Sequence, residues 1–266
     1  MSIFKDDLLD GKVALVTGGG SGIGEGIAKA LAAHGARIAL CGRTLEKLER
    51  VAKDITDTTT GSPDETLPIA CDVRQPDQVQ AVMAAVKERF GRLDILVNNA
   101  AGNFLQPAAS LTPNGFGSVI DIDLKGTFNV SRAAFPLLLA QGGNIVNISA
   151  TLQYAGTPLQ AHAVSAKAGI DALTRTLAVE WGPSRIRVNA VAPGPIGDTE
   201  GMRRLAPPGD IKAKLEKHIP LGRFGTVAEI GDAVLYLVSP AASYVNGAIL
   251  VVDGGAWLAN GFTSFY

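Results

Sequence analysis

The chain has 266 residues, of which 47% are hydrophobic, with a mean hydropathy of +0.21 and a formal net charge of -1, so it can bury a substantial core within a single α/β domain. A near-neutral composition without runs of like charge excludes nucleic acid and an anionic membrane as expected partners. The opening MSIFKDDLLDGK puts acids where a signal peptide would carry its apolar stretch, and no apolar segment is long enough to span a bilayer, so a cytoplasmic protein is expected.

VALVTG (13–18) predicts the first strand, and Ile27, Ala30 and Leu31 mark the helix behind it. RIALCG (37–42) predicts a second strand, followed by helical periodicity through Leu45, Leu48, Val51 and Ile55. TDTTTGSPDE (56–65) reads as a surface loop. LPIACDV (67–73) is the third strand, before a helix through Val79, Val82, Val86 and Phe90 that Gly91 closes. LDILVNNA (93–100), NIVNIS (144–149), IRVNAVAP (186–193) and AILVVDGG (248–255) complete the strands. Thr112-Pro113 marks one helix start, and Thr226 to Glu229 spells a capping box before another. Strands apolar throughout, alternating with helices, predict one α/β domain over 1–266: a doubly wound parallel sheet of seven strands in three layers. Residues 194–225, rich in proline, glycine and base, interrupt the pattern. Cys41 and Cys71 each end an apolar run and read as core residues, with no disulfide, metal site or nucleophile implied.

TGGGSGIG (17–24) follows the first strand and opens the first helix, the place where glycines let backbone approach a pyrophosphate at a helix N-terminus. Gly18, Gly22, Ile23 and Gly24 are therefore candidate dinucleotide contacts. After the second strand, Arg43 and Thr44 stand where an NAD enzyme would place an acid for the ribose hydroxyls, which points to a 2′-phosphate and hence NADP(H). A solvated arginine at a helix start is the plainer alternative. Asp72, with Val73 beside it, is placed to accept from the adenine amine, or else caps its own turn. Asn99, Ala100 and Ala101 in NNAAG (98–102) would set small residues against the cofactor, or serve as turn residues.

TGGGSGIG, NNAAG, a lysine on the helix after the fifth strand and PG after the sixth, in that order, resemble the short-chain dehydrogenase/reductase superfamily over nearly the whole chain. The resemblance implies a Rossmann-type sheet, a tetramer, and an Asn-Ser-Tyr-Lys catalytic set. Only Lys167 of that set is intact: Ala163 stands at the tyrosine position, Ala150 at the serine and Asp123 at the asparagine. NNAAGNF (98–104), DIDLKGTFNVSR (121–132), HAVSAKAGIDA (162–172), LAVEWGP (177–183), APGPIGDTEG (192–201) and DGGAW (253–257) are similar to the 2,4-dienoyl-CoA reductases of the peroxisomal type. That similarity implies Asp123 and Lys167 as the catalytic pair, with Lys167 also on the nicotinamide ribose and Pro193, Gly194 and Ile196 shaping the backbone beside the nicotinamide. It also implies an acyl-CoA thioester substrate. The alternative for Asp123 is a structural acid bonded to the backbone of the neighbouring strand.

Segment 202–225 carries Arg203, Arg204, Lys212, Lys214, Lys217 and Arg223 against Asp210 and Glu216. A basic lid over coenzyme A phosphates is expected there, with Arg203 and Arg204 as substrate contacts; a solvated amphipathic helix has the same composition. Asn103 and Phe104 are expected to line the acyl pocket. The activity expected is NADPH-dependent reduction of 2,4-dienoyl-CoA to the trans-3-enoyl-CoA in β-oxidation. The rivals are a carbonyl reductase of 3-oxoacyl thioesters acting through Tyr154 or His162, and a non-catalytic NADPH-binding protein. The C-terminal NGFTSFY lacks an S-K-L type address, so no peroxisomal destination is expected.

Overall fold

The computed structural model of the chain describes residues 2–59, 65–197, 199, 201–202 and 210–259. Its strands are β1 (Val13–Thr17), β2 (Arg37–Gly42), β3 (Thr66–Ala70), β4 (Ile95–Asn98), β5 (Gly143–Ile148), β6 (Ile186–Pro193) and β7 (Ile249–Val252). They form one parallel sheet in the order β3-β2-β1-β4-β5-β6-β7, with Leu15 opposite Ala39 on one side and Leu96 on the other. The expected doubly wound sheet is what the chain forms.

Along β1 the side chains alternate between two cores. Ala14 and Val16 join the face covered by α1 (Gly22–Ala32), α2 (Leu45–Thr58) and the last helix, while Val13 and Leu15 join the face covered by α3 (Pro76–Phe90), α5 (Gly126–Leu139) and α6 (Ala161–Trp181). Both faces being covered explains why strand sequences show no polar alternation. Cys41 and Cys71 are buried free thiols, as expected of core residues.

Helix boundaries follow the local signals. Thr112 Oγ1 accepts from the Gly115 N–H at the start of α4 (Pro113–Ile120), and Gly91, at φ 73, closes α3. The short helix α7 (Asp210–Lys217) lies within the irregular segment, and α8 (Val227–Val238) begins at the Thr226–Glu229 capping box. The loop expected over 56–65 starts later than predicted: residues 56–58 complete α2, because the Thr56 and Thr58 hydroxyls donate to the carbonyls of Ala52 and Asp54 one turn back and the chain stays helical. Residues 60–64 lie outside the described residues. Between α4 and α5 the chain makes a π-helical turn, Asp121–Lys125, and that turn carries Asp123 into the interior.

Candidate active site

A cleft of about 920 Å³ opens at the carboxyl ends of β1, β2 and β4, where the strand order reverses direction around β1. Of the residues expected to hold a dinucleotide, Gly18, Gly22, Ile23, Arg43, Thr44, Asp72, Val73, Asn99, Ala100 and Ala101 line it. Gly18 has a φ of 64, and a Cβ there would come within 2.9 Å of the Asn99 side chain; a Cβ at Gly24 would stand 2.4 Å from the Gly18 carbonyl oxygen. Only glycine allows this turn to close on NNAAG. Asn99 braces it, its side-chain amide donating to the Thr17 and Gly18 carbonyls. Thr17 completes the clip: its hydroxyl oxygen accepts the Asn99 and Ala100 N–H groups. Thr17 was visible in the motif as the residue that ends β1, but its role depends on β4 lying alongside.

The N-terminus of α1 faces the cleft through Ser21, Gly22 and Ile23, and the Ser21 N-cap side chain makes no capping hydrogen bond. The first N–H groups of a helix have no intrahelical partner, so this end suits a pyrophosphate. Arg43 is exposed at the rim and forms no ion pair among the described residues. Asp72 is differently engaged: Arg74, two residues on, holds both carboxylate oxygens at 2.5–3.0 Å and draws the acid below its ordinary pKa, with Arg43 adding to the pull. Five expected contacts stand apart from the cleft lining: Gly24, packed under the turn at Gly18, Lys167, and three around the end of β6. Pro193 ends β6, the Gly194 N–H donates to the Val252 carbonyl, and Ile196 is buried in a bridge with Gly225 beside Leu221 and Arg223.

Asp123 and Lys167 meet. Asp123 is 1% exposed; its Oδ1 accepts the Gly102 N–H at 2.7 Å and its Oδ2 lies 3.5 Å from Lys167 Nζ, which donates to the Ile148 carbonyl at 2.9 Å. The π turn sets the carboxylate against Gly102, the end of NNAAG, and α6 delivers the lysine from the other side. Burial raises the Asp123 pKa above the ordinary carboxylate value, more than the Lys167 charge and the Gly102 N–H lower it. Ala163 is buried, so at the tyrosine position a methyl group packs where a phenol would stand.

Tyr154 is turned to a second buried acid. Its hydroxyl donates to Asp171 Oδ2 at 3.4 Å, and its pKa is pushed up to about 12 by burial and by that carboxylate. Asp171, one turn beyond Lys167 on α6, also accepts from the Ser149 hydroxyl and the Gln153 amide. Asp171 falls within HAVSAKAGIDA (162–172), and its spacing of four from Lys167, which sets both on one helix face, is the signal the sequence carries for it. Phe104 lines the cleft with Asn103, whose amide donates to Gln160 Oε1. Behind Phe104 lies His162, fully buried, its ring 4.3 Å from the Phe104 ring centroid to centroid. His162 is packed behind Phe104 and is not itself part of the cleft lining.

Arg203 and Arg204 lie outside the described residues. Within the basic segment, Lys214 and Lys217 are in the last turn of α7, whereas Arg223 is held by the Glu229 carboxylate at 2.6 and 3.0 Å. Among the described residues no helix is long and apolar enough to cross a membrane, and no cluster of His, Cys, Asp and Glu could hold a metal ion.

Comparison with known proteins bears on this site. A family model described as enoyl-(acyl carrier protein) reductase matches residues 18–256. A Danio rerio protein named peroxisomal 2,4-dienoyl-CoA reductase [(3E)-enoyl-CoA-producing] is 53% identical, over 97% of this chain and 85% of its own length. The protein of the same name from Pongo abelii is 51% identical, over 96% of this chain and 87% of its own. A crystal structure of a short chain dehydrogenase from Bacillus anthracis is 43% identical, covers 92% of this chain and 96% of its own, and superposes with a TM-score of 0.82. The names of the two relatives overturn the expected cytoplasmic location, since both specify the peroxisome. The physical reason is that a receptor reads a compartment address from a short peptide, so composition and hydropathy do not distinguish the cytosol from an organelle lumen.

Proposed function

The chain belongs to the short-chain dehydrogenase/reductase family, and from that premise we propose that it reduces 2,4-dienoyl-CoA thioesters with NADPH, yielding the trans-3-enoyl-CoA in β-oxidation of unsaturated acyl chains. The observation that carries this is the buried Asp123–Lys167 pair at a site whose serine and tyrosine positions are Ala150 and Ala163. A ketone needs a proton on oxygen as hydride arrives, which a positioned phenol supplies. A conjugated dienoyl thioester instead takes hydride at its far carbon, carries the charge to the thioester oxygen, and is protonated at carbon.

The nicotinamide cofactor supplies the hydride when bound. The N-terminus of α1 holds its pyrophosphate, and Arg43 with Thr44 holds the 2′-phosphate that distinguishes NADPH from NADH. Asp123, whose proton affinity burial raises, acts with Lys167 to deliver a proton through water to the α-carbon. Lys167 also reaches the nicotinamide ribose. Asn103 and Phe104 border the acyl group, Phe104 against the flat diene, and the basic composition of the 194–225 segment, Arg203 and Arg204 included, has the charge that coenzyme A phosphates require. A homotetramer fits the exposed apolar side chains Phe116 and Phe128 on α4 and α5.

The test is an assay of the purified protein with hexa-2,4-dienoyl-CoA and either NADPH or NADH, with identification of the product. Turnover to the 3-enoyl thioester with NADPH preferred is expected, with little activity on acetoacetyl-CoA. Reduction of acetoacetyl-CoA but not the dienoyl thioester would establish the carbonyl reductase instead, and NADH preference would remove the role given to Arg43. An Arg43→Ala variant should raise the NADPH KM at least tenfold and leave that for NADH nearly unchanged, as expected for loss of a charge-assisted pair of about 1.5–3 kcal/mol.

A further inference from the structure

Five buried side-chain polar atoms among the described residues have no hydrogen-bond partner: the amide oxygens of Asn98, Asn103, Asn144 and Gln153, and Nε2 of His162. Four are acceptors. The fifth is a donor, because His162 Nδ1 accepts the Ala163 N–H at 2.7 Å and the proton of the neutral ring must then sit on Nε2. Burial lowers the pKa of the ring more than Asp123 raises it, so the imidazole stays neutral. His162 thus keeps a buried N–H with no acceptor among the described residues, a situation that buried donors rarely tolerate without a functional reason.

Its neighbours say what that reason is. Phe104 touches both the cleft and the imidazole: it is 40% exposed, lines the cleft with Asn103 and Ile122, and stands edge to face on His162 at 69°. Asp123 is near enough to act on the ring's charge. The other donors at this place are committed or missing. The Gly102 N–H is taken by Asp123, Lys167 is shared between Asp123 and the Ile148 carbonyl, and positions 150 and 163 carry methyl groups.

We propose that His162 donates its Nε2–H to the thioester carbonyl oxygen of the substrate once the acyl group has moved the Phe104 ring aside. This deepens the reductase reading and rests on it. As hydride adds to the δ-carbon, the electron pair it brings shifts the double bonds and leaves negative charge on the thioester oxygen, where the imidazole N–H holds it. The charge then returns to form the new C–H bond at the α-carbon, with the proton that Asp123 and Lys167 supply. His162 keeps its own proton throughout, acting as a preorganised donor in a water-excluded place.

The test compares His162→Phe, which keeps an aromatic ring but no donor, with His162→Gln, which keeps an N–H. Turnover of hexa-2,4-dienoyl-CoA should fall roughly 10²–10³-fold in H162F, the usual effect of losing one such donor, with its KM and the NADPH affinity within about threefold of wild type. H162Q should recover most of the loss. A second measurement needs no turnover: with NADP⁺ in place of NADPH, the absorbance of bound dienoyl-CoA should shift to longer wavelength in wild type, because a hydrogen bond polarises the thioester, and the shift should vanish in H162F. Wild-type turnover in H162F, equal losses in H162F and H162Q, or no shift in the wild-type complex would each overturn the proposal. A wild type that fails to reduce dienoyl-CoA but shows the shift would sink the reductase reading while leaving the donor in place.

Discussion

Asp123 has two duties that a single substitution can separate. Its Oδ1 receives the Gly102 N–H, which a carboxamide oxygen can also do, whereas only the acid can carry the proton. Asp123→Asn should therefore keep the fold and the NADPH affinity while turnover of dienoyl-CoA falls roughly 10²–10⁴-fold, the range of general acid catalysis, as measured by kcat beside a cofactor titration. Tyr154→Phe tests the rival acid. With its phenol raised to about 12 and its proton directed to Asp171, Tyr154 is a poor acid turned away from the Asp123–Lys167 pair, so the variant should keep turnover within about threefold of wild type. Neither prediction follows from side-chain identity alone. Lys167 and Asp123 lie 44 positions apart in the chain, and their 3.5 Å contact exists because a π turn and α6 converge on Gly102.

At the scale of elements, the helix ends were the most legible part of the sequence, because a cap is a bargain between residues three or four apart. Thr226 and Glu229 form the expected capping box, and Arg223 adds a fork to the same carboxylate, which lowers the Glu229 pKa to about 2. A carboxylate with a depressed pKa stabilises the fold above its unfolded value and loses that contribution as pH falls. Glu229→Gln, which keeps the capping box but loses the charge facing Arg223, should therefore melt about one or two degrees below wild type near neutral pH, as losing an exposed ion pair implies, and the gap should close as pH falls from about 4.5 to about 2. Denaturant titrations at pH 7, 4 and 3 would measure it; a constant gap would exclude the mechanism. The end of α2 was less legible, since Thr56, Thr58 and their neighbours favour turns by propensity yet hydrogen-bond back into the helix here.

For the whole molecule, the cleft is built by elements that only the sheet order brings together: the glycine turn after β1, Arg43 after β2, Asp72 after β3 and NNAAG after β4. A ligand that binds this arrangement and not the unfolded chain must raise its stability. NADPH at a hundred times its dissociation constant should add about 2.7 kcal/mol, or roughly 5–10 °C in melting temperature, with a smaller gain from NADH at the same concentration. Equal shifts from the two cofactors would mean that Arg43 does not read the 2′-phosphate.

The sequence by itself determined the sheet, its helices and the cofactor turn, because hydrophobic period, capping and glycine spacing are short-range properties that survive in one dimension. Only the folded structure decided which polar groups are free: it committed Asp72 to Arg74, Arg223 to Glu229 and Tyr154 to Asp171, and it left His162 with an N–H that nothing among the described residues receives. Hydrogen bonding saturates, so what a side chain can do for a substrate depends on what has already claimed it, and only the folded geometry fixes which group, two residues from Asp72 or seventeen from Tyr154, makes that claim.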